Sequence, residues 1–171
     1  VLVAGTTSVV SQPITVGAAQ PNFGGASNDG IVARIDCTND DTVGIYRAST
    51  DLFTLKNANI AATPSVTATL TASPDQPIAG DWNGDGVEGV GVYDPVLGHF
   101  WLKDRPGYGE ADHAFGFGPV GSRLVPVAGD WNGDGIDSVG LYNSETANFF
   151  LAGSHAPGDA ERIVLFGPAA A

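Results

Sequence analysis

Gly80-Asp81-Trp82-Asn83-Gly84-Asp85-Gly86 and Gly129-Asp130-Trp131-Asn132-Gly133-Asp134-Gly135 are one heptapeptide written twice. Each copy sets Asp81, Asn83 and Asp85, or Asp130, Asn132 and Asp134, at alternate positions. Side-chain oxygens at positions one, three and five of a tight loop turn inward around one hard cation. The glycine at six permits the bend, and the carbonyl at seven, on Val87 or Ile136, adds another oxygen. Agreement of both copies at every ligand position points to calcium. The competing reading is a metal-free turn between strands, which Asn-Gly and Asp-Gly also favour. Neither copy is an EF-hand: position twelve, which needs a glutamate, is Val92 or Leu141, and no helical pattern flanks either loop.

The loops belong to a longer repeat. Val43-Gly44-Ile45-Tyr46, Val90-Gly91-Val92-Tyr93 and Val139-Gly140-Leu141-Tyr142 recur at intervals of 47 and 49 residues. Each tyrosine is followed seven residues later by Phe53, Phe100 or Phe149, and two further on by Leu55, Leu102 or Leu151. Phe117 and Phe166 then lead into Gly-Pro in the second and third copies. So many fixed offsets define a true repeat.

Short apolar alternation separated by Gly, Pro and Asp clusters reads as strands. In the middle unit we expect them at about 77–82, 89–94, 99–103 and 114–118, with Phe100 and Leu102 on one face and Trp101 on the other. A four-stranded unit of about 45 residues, repeated, is the pattern of a propeller blade. The expected fold is therefore all-β, a propeller-like array of four-stranded antiparallel blades. Residues 1–25 read as the last two strands of a partial blade, 26–73 as repeat one, 74–121 as repeat two and 122–171 as repeat three. The loop of repeat one, Asp36-Cys37-Thr38-Asn39-Asp40-Asp41, lacks the glycine at six and is expected to be degenerate.

Phe117-Gly118-Pro119, then Pro126 through Gly135, then Val139-Gly140-Leu141-Tyr142 resemble the FG-GAP/VCBS-type repeats of β-propellers, such as the integrin α-subunit head and bacterial surface proteins. Pro77 through Tyr93 match in the middle unit, and the resemblance covers roughly residues 23–168. It implies a calcium-stabilised propeller with ions held in loops between strands of one blade. The family loop usually carries Asp at position nine, where Gly89 or Ser138 stands here. An acid occupies position eight instead, Glu88 or Asp137, and both join the candidate ligands.

Composition narrows the function further. The 171 residues are enough for one domain with a real core, 43% are hydrophobic, and 24 glycines with 11 prolines suit many turns. A net charge of −12 excludes nucleic acid as a partner, because no basic patch exists to neutralise phosphates. No apolar run reaches membrane-spanning length, so no membrane insertion is expected. The chain has no methionine and is expected to be processed or excised from a longer one. Cys37 is the only cysteine and forms no internal disulfide. Loops of modest calcium affinity suit an extracellular location, secreted or at the cell surface.

No nucleophile elbow, zinc-protease motif or phosphate loop occurs. His99, His113 and His155 share no metal-ligand spacing and read as turn or surface residues. Trp101 and Phe150 occupy the same outward position in strand three and form a candidate partner surface; the alternative is packing against a neighbouring blade. Trp82 and Trp131 are read as covers over the first ligand of each loop. We expect a non-enzymatic structural or adhesive module that binds calcium and associates with itself or with the remainder of a longer chain. The alternatives are a carbohydrate-binding propeller, with a glycan or protein ligand, and an accessory repeat region of a secreted enzyme.

Overall fold

The computed structural model describes residues 29–36, 39–56, 66–70 and 76–167. The partial blade expected at 1–25 and Cys37 lie outside them. Among the described residues the chain is all-β, with no α-helix and one short 3-10 turn at Ala48–Thr50. Its strands form three antiparallel four-stranded sheets, each a simple up-and-down meander.

Sheet one contains β1 (Asp29–Asp36), β2 (Asn39–Arg47), β3 (Leu52–Leu55) and β4 (Val66–Thr69). Sheet two contains β5 (Gln76–Gly80), β6 (Gly89–Asp94), β7 (His99–Lys103) and β8 (His113–Gly116). Sheet three contains β9 (Val125–Gly129), β10 (Ser138–Asn143), β11 (Asn148–Leu151) and β12 (Arg162–Leu165). The strands of the middle unit fall within a few residues of the sequence expectation. Pro77 and Pro126 sit in β5 and β9, which are edge strands with a partner on one side only, the place in a sheet where proline is tolerated.

The sheets stack face to face in chain order. First strands lie side by side, β1 with β5 and β5 with β9. Among the described residues the three sheets do not close into a ring. One core lies between sheets one and two, built from Tyr46, Phe53, Leu55, Ala68 and Leu70 against Ala79, Val90 and Val92. A second lies between sheets two and three, where Ile78, Tyr93, Phe100, Leu102, Phe115 and Phe117 meet Leu124, Val139 and Leu141. Alternation along β7 explains both: Phe100 and Leu102 are fully buried toward sheet three, while Trp101 packs toward sheet one.

The repeated tyrosine and phenylalanine are cross-strand neighbours in every unit. Tyr46 pairs with Phe53, Tyr93 with Phe100 and Tyr142 with Phe149, each with ring centroids 4.5 Å apart. The first two pairs are completely buried because the next sheet covers them. Tyr142 and Phe149 are only half-buried, since no described sheet follows the third. On the same unit Ile163, Leu165 and Phe166 are exposed, Phe166 to 75%, whereas its counterpart Phe117 is exposed to 3%.

Candidate metal centre

Residues 81–88 connect β5 to β6 and residues 130–137 connect β9 to β10. The two loops have the same internal structure, and it is built by the aspartate at position one. Asp81 Oδ1 accepts the N–H of Gly84 at 2.9 Å and of Asp85 at 3.1 Å, while Oδ2 accepts that of Gly86 at 2.8 Å. Asp130 does the same with Gly133 at 2.7 Å, Asp134 at 3.1 Å and Gly135 at 2.9 Å. Asn83 Oδ1 accepts Asp85 N–H, and Asp85 Oδ1 accepts Val87 N–H. Asn132 and Asp134 repeat this with Asp134 and Ile136. The glycine at six carries φ of 80° in one loop and 85° in the other, a conformation that side-chain-bearing residues rarely adopt.

These bonds aim the loop's backbone donors at side-chain oxygens and fix the carboxylates in place. Backbone N–H groups, that of Gly135 first, hold the Asp130 carboxyl below its ordinary range. Asp85 is likewise lowered, first by the Asn83 amide and further by Val87 N–H and Arg105. Both therefore stay ionised near neutrality. Oδ1 of Asp81 and of Asp130 accepts two N–H groups, but their Oδ2 atoms and the Oδ1 atoms of Asp85 and Asp134 accept only one each, so these oxygens keep a lone pair that can coordinate a cation. Two carboxylates, one amide oxygen and a backbone carbonyl per loop form an all-oxygen donor set that fits calcium. Among the described residues no three His, Cys, Asp or Glu side chains cluster, so the amides of Asn83 and Asn132 are needed to complete either set.

The two loops touch. A Cβ placed on Gly84 would lie 3.0 Å from the Ile136 side chain and 3.2 Å from the Gly135 carbonyl. Asp137, a candidate ligand of its own loop, also reaches the preceding one: its Oδ2 accepts Asp81 N–H at 2.9 Å. Burial pushes the Asp137 carboxyl above its ordinary range, and the charges of Asp81 and Asp130 push the same way. Glu88, at the matching position of the first loop, is half-buried.

Position nine has no room for an acid in the first loop. A Cβ on Gly89 would stand 2.1 Å from the Lys103 carbonyl and 2.6 Å from the Trp82 indole. In the second loop Ser138 is buried, and its Oγ donates to the Ala152 carbonyl at 2.7 Å. Trp82 is buried in the core between sheets two and three; Trp131 is half-buried and lies against Gly129. In repeat one, β1 and β2 pair through Asp36 and Asn39, so strand pairing runs up to the point where the other units open a wide loop.

Sequence reasoning missed three partners of this region. Arg105 Nη2 contacts Asp85 Oδ2 at 2.7 Å from the β7–β8 connection, with Ser154 at the matching position of the third unit. His155 Nε2–H donates to the Asp137 carbonyl at 2.9 Å. His155 lies in the β11–β12 connection and His113 opens β8, but neither is a free surface residue: both are half-buried, their rings lie 4.9 Å apart, and His155 also meets Trp82 edge-on. Nothing in the residue spacing could link groups from separate connections.

Trp101 is half-buried against the core shared with sheet one, its ring 4.5 Å from that of His99. Phe150 is half-buried on the face toward sheet two, opposite Leu141. Both positions therefore pack toward the preceding sheet.

No family model, no curated protein and no solved structure matches this chain.

Proposed function

We propose that this chain is a non-enzymatic, calcium-stabilised repeat module that works by stacking blade-like sheets, as an extracellular structural or adhesive element. The observation that carries the reading is the third tyrosine–phenylalanine pair. Two sheets bury theirs completely beneath the next sheet, and the third, Tyr142 with Phe149, has no such cover among the described residues. Apolar area of this kind gains about 25 cal/mol per Å² when covered. Its natural cover is another four-stranded unit, from a second copy or from the remainder of a longer chain.

The stacked meanders and the 47- and 49-residue repeat support a propeller-like array of the FG-GAP/VCBS kind. The two identical loops support calcium as its cofactor. No described helix is long and apolar enough to cross a membrane. Calcium at millimolar levels is an extracellular condition, which supports secretion or surface display.

Sedimentation of the isolated chain with calcium present tests the reading. Association that rises with concentration and is abolished by Phe149→Asp is the expected result. A chain that stays a 17.4 kDa monomer at high concentration would sink the self-association arm. In that case a longer parent chain carrying a fourth unit must bury Phe149, or the module reading fails as well.

A further inference from the structure

A cavity of about 840 Å³ opens between sheets two and three, away from the loops. It is bounded by the β8–β9 connection, the β10–β11 turn and the end of the β11–β12 connection. We propose that it is a binding site for a neutral saccharide, a pyranose or short glycan, seated on Phe150. This deepens the carbohydrate alternative and does not depend on the calcium loops.

The volume falls within the range of small-ligand sites. Its apolar floor includes Phe150 and Leu124. Phe150 is half-buried, and no aromatic ring or cation among the described residues stacks on it. The rim carries Arg123, Asn143, Glu145 and Asp159. Arg123, Glu145 and Asp159 are exposed and make no ion pair among the described residues. Asn143 Oδ1 is taken by the N–H groups of Glu145 and Thr146, which leaves its Nδ2 as the remaining donor.

An aromatic floor beneath a rim of planar hydrogen-bonding groups suits a ligand with one C–H face and hydroxyl edges. A pyranose is such a ligand: its C–H face stacks on the ring, and adjacent hydroxyls bridge carboxylate, amide and guanidinium. Two carboxylates against one guanidinium disfavour an anion. Three formal charges on the rim disfavour a wholly apolar ligand, whose binding would strip them of water.

Trp101, which corresponds to Phe150 in the second unit, has its ring tilted against that of His99 with centroids 4.5 Å apart, and Ala111 of the β7–β8 connection packs against the same core. That connection is pinned to sheet one by Thr69 N–H to the Gly107 carbonyl and by Thr67 to Tyr108. In the third unit the β11–β12 connection is bridged to Phe117 through Gly158, and the cavity lies beside Phe150.

The test is saturation-transfer NMR on the intact chain with glucose, galactose, N-acetylglucosamine and N-acetylgalactosamine as probes. At least one should receive saturation on its ring protons, with affinity of about millimolar for a single ring. Phe150→Ala should weaken it by roughly tenfold, the scale of one stacking contact. Gly158→Phe is the second variant, because a Cβ there meets nothing within 4 Å and the residue lines the cavity. It fills the space while deleting no side chain, and it should abolish binding with the melting curve retained. No transfer to any probe, transfer unaffected by Gly158→Phe, or a preference for a uronic acid would each overturn the proposal. None of these results bears on calcium or on stacking, which are read by melting and sedimentation.

Discussion

The carboxylate of Asp137 accepts the backbone N–H of Asp81 at 2.9 Å, and Asp137 returns its own N–H to the Asp81 carbonyl at 2.9 Å. The last residue of one loop thereby clamps the first residue of the preceding one. His155 holds the third corner through the Asp137 carbonyl. Since Asp81 organises its loop through three backbone N–H groups, the geometry of loop one depends on a residue of loop two.

Two substitutions separate the clamp from its charge. Asp137→Ala removes the acceptor and leaves a half-buried N–H, costing about 1–3 kcal/mol. Asp137→Asn keeps an oxygen acceptor but removes a negative charge held beside Asp81 and Asp130. With a chelator present, the alanine variant should melt below the parent and the asparagine variant above it. Equal melting of both variants would show that Asp137 exerts no clamping force.

The core of the middle unit gives a second prediction. Leu102 is fully buried between sheets two and three. Leu102→Ala should cost about 2–5 kcal/mol in urea unfolding. An effect below about 0.5 kcal/mol, as at a surface site, would contradict the packing of β7.

What the sequence disclosed and what it hid follow from the reach of its patterns. Alternation along β7 separates Phe100 and Leu102 from Trp101, because side-chain direction in a strand is local. The inward-turned oxygens of the loop are legible for the same reason, as Asp81, Asn83 and Asp85 bond to backbone N–H groups within one turn. Spacing places Asp137 with its own loop and cannot show the bond it also makes to the Asp81 N–H, because spacing groups residues that are close in the chain. Its partner lies 56 residues away across two sheets. Alternation likewise gives Phe150 a face but not what lies opposite, where a cavity opens between sheets two and three.

His155 makes stability depend on pH. Burial holds its imidazole below the ordinary value of 6.5, so the folded state prefers the neutral ring. Its contribution is complete above about 6.5 and is lost as pH falls through the lower folded value, because the unfolded chain takes up the proton more readily. The melting temperature should therefore drop on acidification below about pH 6.5. His155→Gln keeps a donor for the Asp137 carbonyl but cannot titrate, so this part of the pH dependence should flatten. An unchanged profile would exclude His155 as its source.

Calcium gives the last prediction. A loop with two aspartates and one asparagine suits an affinity on the order of 10⁻⁴ M. At about 2 mM calcium each loop would then add roughly 1.8 kcal/mol by mass action. The two together correspond to a rise in melting temperature of roughly 10 °C for a chain of this size. Asp130→Ala removes the residue that organises loop two and should abolish about half of that rise. The loops should also differ, because Arg105 contacts Asp85 Oδ2 in the first and Ser154 stands at its place in the third unit. A guanidinium there competes with the ion, so calorimetry of the Asp130→Ala chain should show loop one binding more tightly once Arg105→Ala is added. A melting curve that ignores both calcium and chelator would reduce the two loops to hydrogen-bonded turns.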